Sequence, residues 1–230
     1  MGYVARVLGV LAALVIPAAA SAAGLADISN RDAINGLKDA LTRGSQAAVA
    51  RLGVEDGFLK NDSVRIGLPP SLRSAEAVIR TIGMGTQADE LVLRMNRAAE
   101  AAVPQAKTLL TNAVRKMSVQ DAKGILSGGD DAATQYFKRI TSEPLAKQFQ
   151  PTVKKAMEKV KLVEKYNEIA ASGARFGLVK DEDAKLEDYV TRRALDGLFV
   201  AIAEEEKKIR QNPAGAASSI VRKVFGAIRN

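Results

Sequence analysis

The sequence predicts an all-α protein, a multi-helix bundle of about eight to ten helices with proline-interrupted segments, and three observations lead there. Hydrophobic residues make up 47% of the 230-residue chain, yet aromatics make up only 4% and Trp is absent, so Ala, Leu and Val must fill the interior. Those aliphatic residues suit helices, whereas sheets draw more on aromatic and β-branched side chains. Apolar residues recur every three or four positions along most of the chain, and neither strand-like alternation of useful length nor an internal repeat is found.

The first element is not part of that bundle. Met1 to Ala22 has Arg6 near its start, an apolar run from Val7 to Ile16, and small residues leading to Ala20-Ser21-Ala22. This is the pattern of a secretory signal peptide, with cleavage expected after Ala22. About ten strongly apolar residues are too few for a bilayer that needs ~20, and no Cys follows to take a lipid anchor. The expectation is a periplasmic or secreted protein, with residues 23–230, about 208 residues, forming one helical domain.

Within residues 23–230, Ile34, Leu37, Leu41, Ala48 and Leu52 mark a first amphipathic helix over Asp32 to Leu52. From Gly53 to Pro70 the pattern stops at Gly53, Asp56-Gly57, Asn61-Asp62 and Pro69-Pro70, which predicts the longest irregular stretch. Ser71 is placed to cap a short helix through Ile82, ended by Gly83 and Gly85. Thr86 and Asp89 have capping-box spacing before a helix lined by Leu91, Met95, Ala98 and Ala102. Pro104 should kink that rod or begin a second piece reaching Met117.

Ser118 and Asp121 repeat the capping-box spacing before a short helix closing at Gly128-Gly129. Asp130 is placed to cap the next, with Ala133, Phe137 and Ile140 facing inward. Pro144 and Pro151 punctuate the adjoining stretch, and Val153, Ala156, Val160, Val163 and Ala170 line a long helix. After a loop at Ser172-Gly173 and Gly177, Asp181, Glu182 and Asp183 open another long helix at its positive dipole end. Its seam is Leu186, Tyr189, Leu195, Phe199 and Ile202. Asn212 and Pro213 start a last helix with Val221, Val224, Phe225 and Ile228 inward.

Cys and His are both absent, which bounds the chemistry more firmly than any motif present. No Cys nucleophile, Ser-His-Asp triad, conventional structural zinc site, c-type haem attachment or disulfide can be built. No cofactor and no transition metal are expected, while calcium or magnesium could still be held by oxygen ligands. Any catalysis must use carboxylates, Lys, Tyr, Ser or such a hard cation.

The net charge is +8, of which Arg6 belongs to the signal segment. A basic exported protein suits an anionic lipid, an acidic polysaccharide or another envelope protein. Lys154, Lys161 and Lys165 form one helical stripe, but Glu158 and Glu168 lie beside it, as on a solvated, salt-bridged face. Arg210, Arg222, Lys223 and Arg229 near the carboxy terminus are a better basic patch. That patch lacks interleaved aromatics on which bases could stack, so nucleic acid is disfavoured.

Several carboxylate groups invite a functional reading. Glu204-Glu205-Glu206 is explained by pairs to Lys208 and Arg210 along one helix, and Asp181 to Asp188 lacks the central Gly and terminal Glu of a calcium loop. Asp130-Asp131 after two glycines could present two carboxylates at a turn, or simply cap a helix. Asn96 and Glu100, flanking Arg97, sit one turn apart on a helix otherwise lined by small residues. Small residues permit close approach, so Asn96 and Glu100 are expected to face inward, find partners such as Arg97, and hold neighbouring helices in register.

Asp56-Gly57-Phe58-Leu59, Val64-Arg65-Ile66, Ala88-Asp89-Glu90-Leu91 and Met95 through Pro104 resemble the domain of unknown function 4197 family. So do Asp121-Ala122-Lys123-Gly124-Ile125-Leu126, Gly129 through Thr134, Tyr136-Phe137, Tyr189-Val190-Thr191, Ala194 through Phe199, Ile209 through Pro213, and Lys223 through Gly226. The resemblance spans nearly all of the chain after the signal segment, in order. It implies an exported, largely helical bacterial protein with no established activity, and it supplies no catalytic residue.

The leading expectation is a non-enzymatic binding or interaction protein for an anionic or amphipathic partner. Its candidate binding residues are Arg65, Asn96, Arg97, Glu100, Asp130 and Asp131. The alternative is a carboxylate-dependent, hydrolytic enzyme around Glu100, Asp130 and Asp131. Convergence of those carboxylates with Arg65 or Arg97 in one cleft would favour the enzyme, and dispersal would disfavour it.

Overall fold

Helix α1 runs over Asn30–Leu52, and its inward side carries Leu37, Leu41, Ala48 and Leu52 as the apolar spacing requires. The computed structural model describes residues 30–74, 76–158, 163–164, 166, 185–213, 222 and 224–225. Every regular element among them is helical, as the composition predicts. After α1 come two short helices, α2 (Pro70–Ser74) and α3 (Glu76–Thr81), then α4 (Gly85–Ala102). A 3₁₀ turn at Val103–Gln105 joins α4 to α5 (Ala106–Lys116). The chain continues through α6 (Val119–Ser127), α7 (Ala132–Met157) and α8 (Leu186–Gln211).

The body is built from α1, α4, α5, α7 and α8, the five helices longer than ten residues. The expected count of eight to ten refers to the whole chain, and part of it merges here. Helix α7 passes through Pro144 and Pro151, where the sequence predicts a break, in one 26-residue run. Both prolines are exposed and lie seven residues apart on the same side. The carbonyls of Ile140 and Lys147, which lose their helical donors, therefore belong to residues on the solvent side, where water can replace the bond.

Helices α7 and α8 pack most extensively and antiparallel: Gln150 meets Asp188, Lys138 lies over the Phe199 ring, and Ala133 meets Glu206. Helix α1 lies against α8, with Arg51 reaching Glu204, and α4 packs against both α7 and α8. Their shared interior holds Leu91, Met95, Phe137, Leu145, Phe149, Leu186 and Leu198. Ile140, expected in that interior, is 46% exposed. The buried side of α7 steps instead from Phe137 to Thr141 and Leu145, four residues at a time.

The caps divide into one success and three corrections. Ser118 accepts from the Asp121 amide at 3.0 Å while its own amide donates back to Asp121 at 3.3 Å, a complete capping box on α6. Thr86 and Asp89 do not form one. Helix α4 already begins at Gly85 behind Gly83 at φ +81°, and Asp89 turns to Arg80 at 2.7 Å. Asp130 does not cap α7 either: Asp131 holds the cap position, and its side chain accepts from none of the helix amides.

Short helix α2 begins at Pro70, one residue before the expected cap Ser71; proline suits a first helical position because its missing donor is not needed there. The signal segment, most of the Val160 to Asp183 expectations and most of the last helix lie outside the described residues. Within that last helix, Val224 and Phe225 are buried as expected. No helix among the described residues is long and apolar enough to cross a membrane.

Candidate functional site

Three of the sequence-selected residues meet on the last turns of α4, where they grip the loop between α1 and α2. Ala98, Ala99 and Ala102 are fully buried there, so the loop backbone can approach the helix closely. Asn96 is fully buried, and its side chain brackets one loop residue: Oδ1 accepts from Ile66 N at 2.9 Å and Nδ2 donates to Ile66 O at 2.8 Å. The second Nδ2 hydrogen goes to Val92 O at 2.7 Å, so every polar group of the amide is satisfied.

Glu100 grips the loop one helical turn further along. Its Oε1 accepts from the amides of Phe58 at 3.0 Å and Leu59 at 3.2 Å, and Oε2 accepts from Arg97 Nη1 at 2.6 Å. Arg97 continues to Asp56 at 2.8 Å and Glu55 at 3.1 Å. Its proton is held more tightly than usual, first by Glu100 and then by Asp56. The Asp56 carboxyl is held below its ordinary range by hydrogen bonds from Lys60 and then Arg97. The site is thus a chain of alternating charges along the loop's inner edge.

The loop's own sequence makes this shape possible. Asp56 sits at φ +66°, a left-handed conformation that Asp tolerates, and a Cβ on Gly57 would stand 2.6 Å from Leu52 O. Phe58 is driven into the core beside Gly197 of α8, where a Cβ would lie 2.6 Å from Phe58 Cε1. Tyr189 donates its hydroxyl to Gly67 O at 3.1 Å. The small neighbours of Asn96 and Glu100 single them out in the sequence, but as residues that set helix register. Their principal partner is loop backbone.

Arg65 lies next to the bracketed Ile66, yet its side chain is exposed, within electrostatic reach of Asp89. Asp130 and Asp131 are elsewhere, exposed on the turn between α6 and α7, where Asp131 accepts from Gln135 at 2.8 Å. Glu100 is bonded to neither. Among the described residues no three acidic side chains gather closely enough to hold a metal ion.

A second buried carboxylate escapes a reading of the sequence. Glu206 of α8 accepts from the amides of Ala133 at 3.0 Å and Thr134 at 2.9 Å, and from the Thr134 hydroxyl at 2.9 Å. It therefore caps α7 from another helix, doing the work expected of Asp130. Arg210 pairs with it at 2.9 Å and also donates to Ile125 O at 3.0 Å. The Arg210 guanidinium stands 5.7 Å from the centre of the Phe225 ring. The adjoining cavity, lined in part by Leu37, Ile209 and Phe225, measures about 10 Å³, the lower limit for one water.

Glu204 corrects another expectation, since it pairs with Arg51 of α1 at 2.6 Å while Lys208 pairs with Glu205 at 2.8 Å. Both buried carboxylates accept from consecutive backbone amides and one arginine, which leaves no oxygen unengaged to take a proton from a substrate.

The model of a family described as "Protein of unknown function (DUF4197)" matches residues 27–226. The chain belongs to this DUF4197 family. No curated protein and no solved structure matches it. The match covers both carboxylate clamps and every element described, so family membership agrees with the resemblance carried by the loop and helix motifs.

Proposed function

We propose that this DUF4197 protein is exported after loss of its first 22 or so residues and acts, as one helical domain, as a non-enzymatic binding or interaction protein for an anionic or amphipathic partner. The observation that carries the reading is the full engagement of Glu100. A general acid or base needs an oxygen within reach of a reacting group, whereas this carboxylate holds two loop amides and Arg97. Asp130 and Asp131, the other members of the enzymatic alternative, are separate from it on an exposed turn. The net charge of +8, all but Arg6 of it outside the signal segment, supports an anionic partner.

Mass spectrometry of the protein purified from its native cell envelope tests this. A stoichiometric anionic or amphipathic molecule, carried by a chain whose first residue is Ala23, is the expected result. Turnover of a co-purifying substrate that disappears in Asp130→Asn or Asp131→Asn, with thermal stability unchanged, would favour the enzyme. A chain retaining Met1 in a membrane-integrated form would contradict export.

A further inference from the structure

After Asn212 ends α8, the sequence from Ala214 to Ser219 has no side chain larger than serine, and Phe225 is the only aromatic residue beyond Phe199. Among the described residues that follow Pro213, Arg222 is exposed while Val224 and Phe225 are buried. The end of the chain is therefore joined to α8 by a stretch with little to bury, and Val224 and Phe225 anchor it to the body.

That anchor sits on the second clamp. The Phe225 ring lies 5.7 Å from the Arg210 guanidinium, and both border the cavity that Leu37, Ala133 and Glu206 also line. With Phe225 seated, the Arg210 side chain is 10% exposed and that of Glu206 4%. Burial strengthens the bonds that Glu206 accepts from Ala133, Thr134 and Arg210, because a low local dielectric raises the worth of each. Without the ring, water reaches the pair from the side of α1 and competes for both charges.

The two amides that Glu206 holds are sensitive to that loss. Ala133 and Thr134 are the second and third residues of α7, where an amide has no carbonyl within its own helix to donate to. Their protection rests on Glu206. Arg210 also donates to Ile125 O of α6, so the same seat steadies both sides of the α6–α7 turn. The first clamp is remote from it: Phe58 meets α8 at Gly197, whereas Phe225 meets it at Arg210, about 20 Å further along the helix.

We infer that the carboxy-terminal segment is a conformational device, a strap whose Phe225 anchor seals the second clamp, so that release of the strap loosens the start of α7. The coupling is reciprocal. A partner that draws Phe225 from its seat weakens the capping of α7, and whatever steadies the start of α7 favours the seated strap. This holds whether or not the partner is anionic.

Native-state hydrogen exchange of the whole Phe225→Ala protein, read at Ala133 and Thr134 against Phe58 and Leu59, tests the coupling. Exchange at Ala133 and Thr134 should accelerate about tenfold or more, while Phe58 and Leu59 change by less than about threefold. In a Glu206→Gln background, where the clamp has already lost its charge and one acceptor, Phe225→Ala should add less than about threefold at Ala133 and Thr134, the non-additivity that one shared cluster requires. Unchanged exchange at Ala133 and Thr134, equal acceleration at all four amides, or full additivity with Glu206→Gln overturns the device. A Phe225→Ala chain that no longer folds overturns it as well, since Phe225 is then part of the indispensable core and not the anchor of a releasable strap.

Discussion

The loop after α1 and the turn before α7 are fastened by the same device on opposite sides of the sequence. In each, a carboxylate with about 5% of its surface exposed accepts from two consecutive backbone amides and is paired with an arginine on its own helix. The difference lies in the arginine. Arg97 is 31% exposed and shares itself with Asp56 and Glu55, whereas Arg210 is 10% exposed and its other partners are the Ile125 carbonyl and the Phe225 ring. Water can therefore compensate a lost carboxylate at the first clamp more readily than at the second.

That contrast orders the expected effects. Glu206→Ala should destabilise most, by ~3 to 5 kcal/mol in chemical denaturation, because it strands a buried guanidinium and two helix-terminal amides. Glu206→Gln should cost less, since one acceptor remains. Glu100→Ala comes next at ~1 to 3 kcal/mol, the penalty for unsatisfied Phe58 and Leu59 amides, with Arg97 still held by Asp56. A Glu206 variant that proved milder than the Glu100 variant would reverse the comparison.

The loop clamp also has a packing counterpart on α8. Gly197→Ala should cost ~1 to 3 kcal/mol by pushing Phe58 out of its seat, although alanine is the better helix former. An unchanged denaturation midpoint would show that Phe58 does not anchor the loop. The smallest effect concerns acid. Asp56 is depressed below its ordinary value of 3.8, so its contribution is present above that value and is lost as pH falls through the lower folded value. Asp56→Asn should flatten the acid limb of the stability profile and leave the shape of its neutral plateau unchanged.

The helical body was legible in the sequence because Leu37, Leu91, Phe137 and Phe199 each belong to a run of apolar residues at helical spacing, and spacing reports which side is buried. Loop position was legible from Asp56-Gly57 and Pro69-Pro70. Asn96 and Glu100 could be singled out because Ala98, Ala99 and Ala102 beside them permit close approach. Glu206 could not, since it stands among Glu204, Glu205, Lys207 and Lys208 like any surface residue, and only tertiary packing turns it towards α7. Pro144 and Pro151 misled for a related reason: a missing donor breaks a helix when buried, but not when its orphaned carbonyl faces water.

The central claim is that these two carboxylates are structural clamps, each holding its own pair of amides. Native-state hydrogen exchange at Phe58, Leu59, Ala133 and Thr134, compared between the parent and Glu100→Ala, tests it most directly. Exchange at Phe58 and Leu59 should accelerate strongly while Ala133 and Thr134, still held by Glu206, keep their protection. Unchanged protection at Phe58 and Leu59 in a folded Glu100→Ala protein would contradict the account.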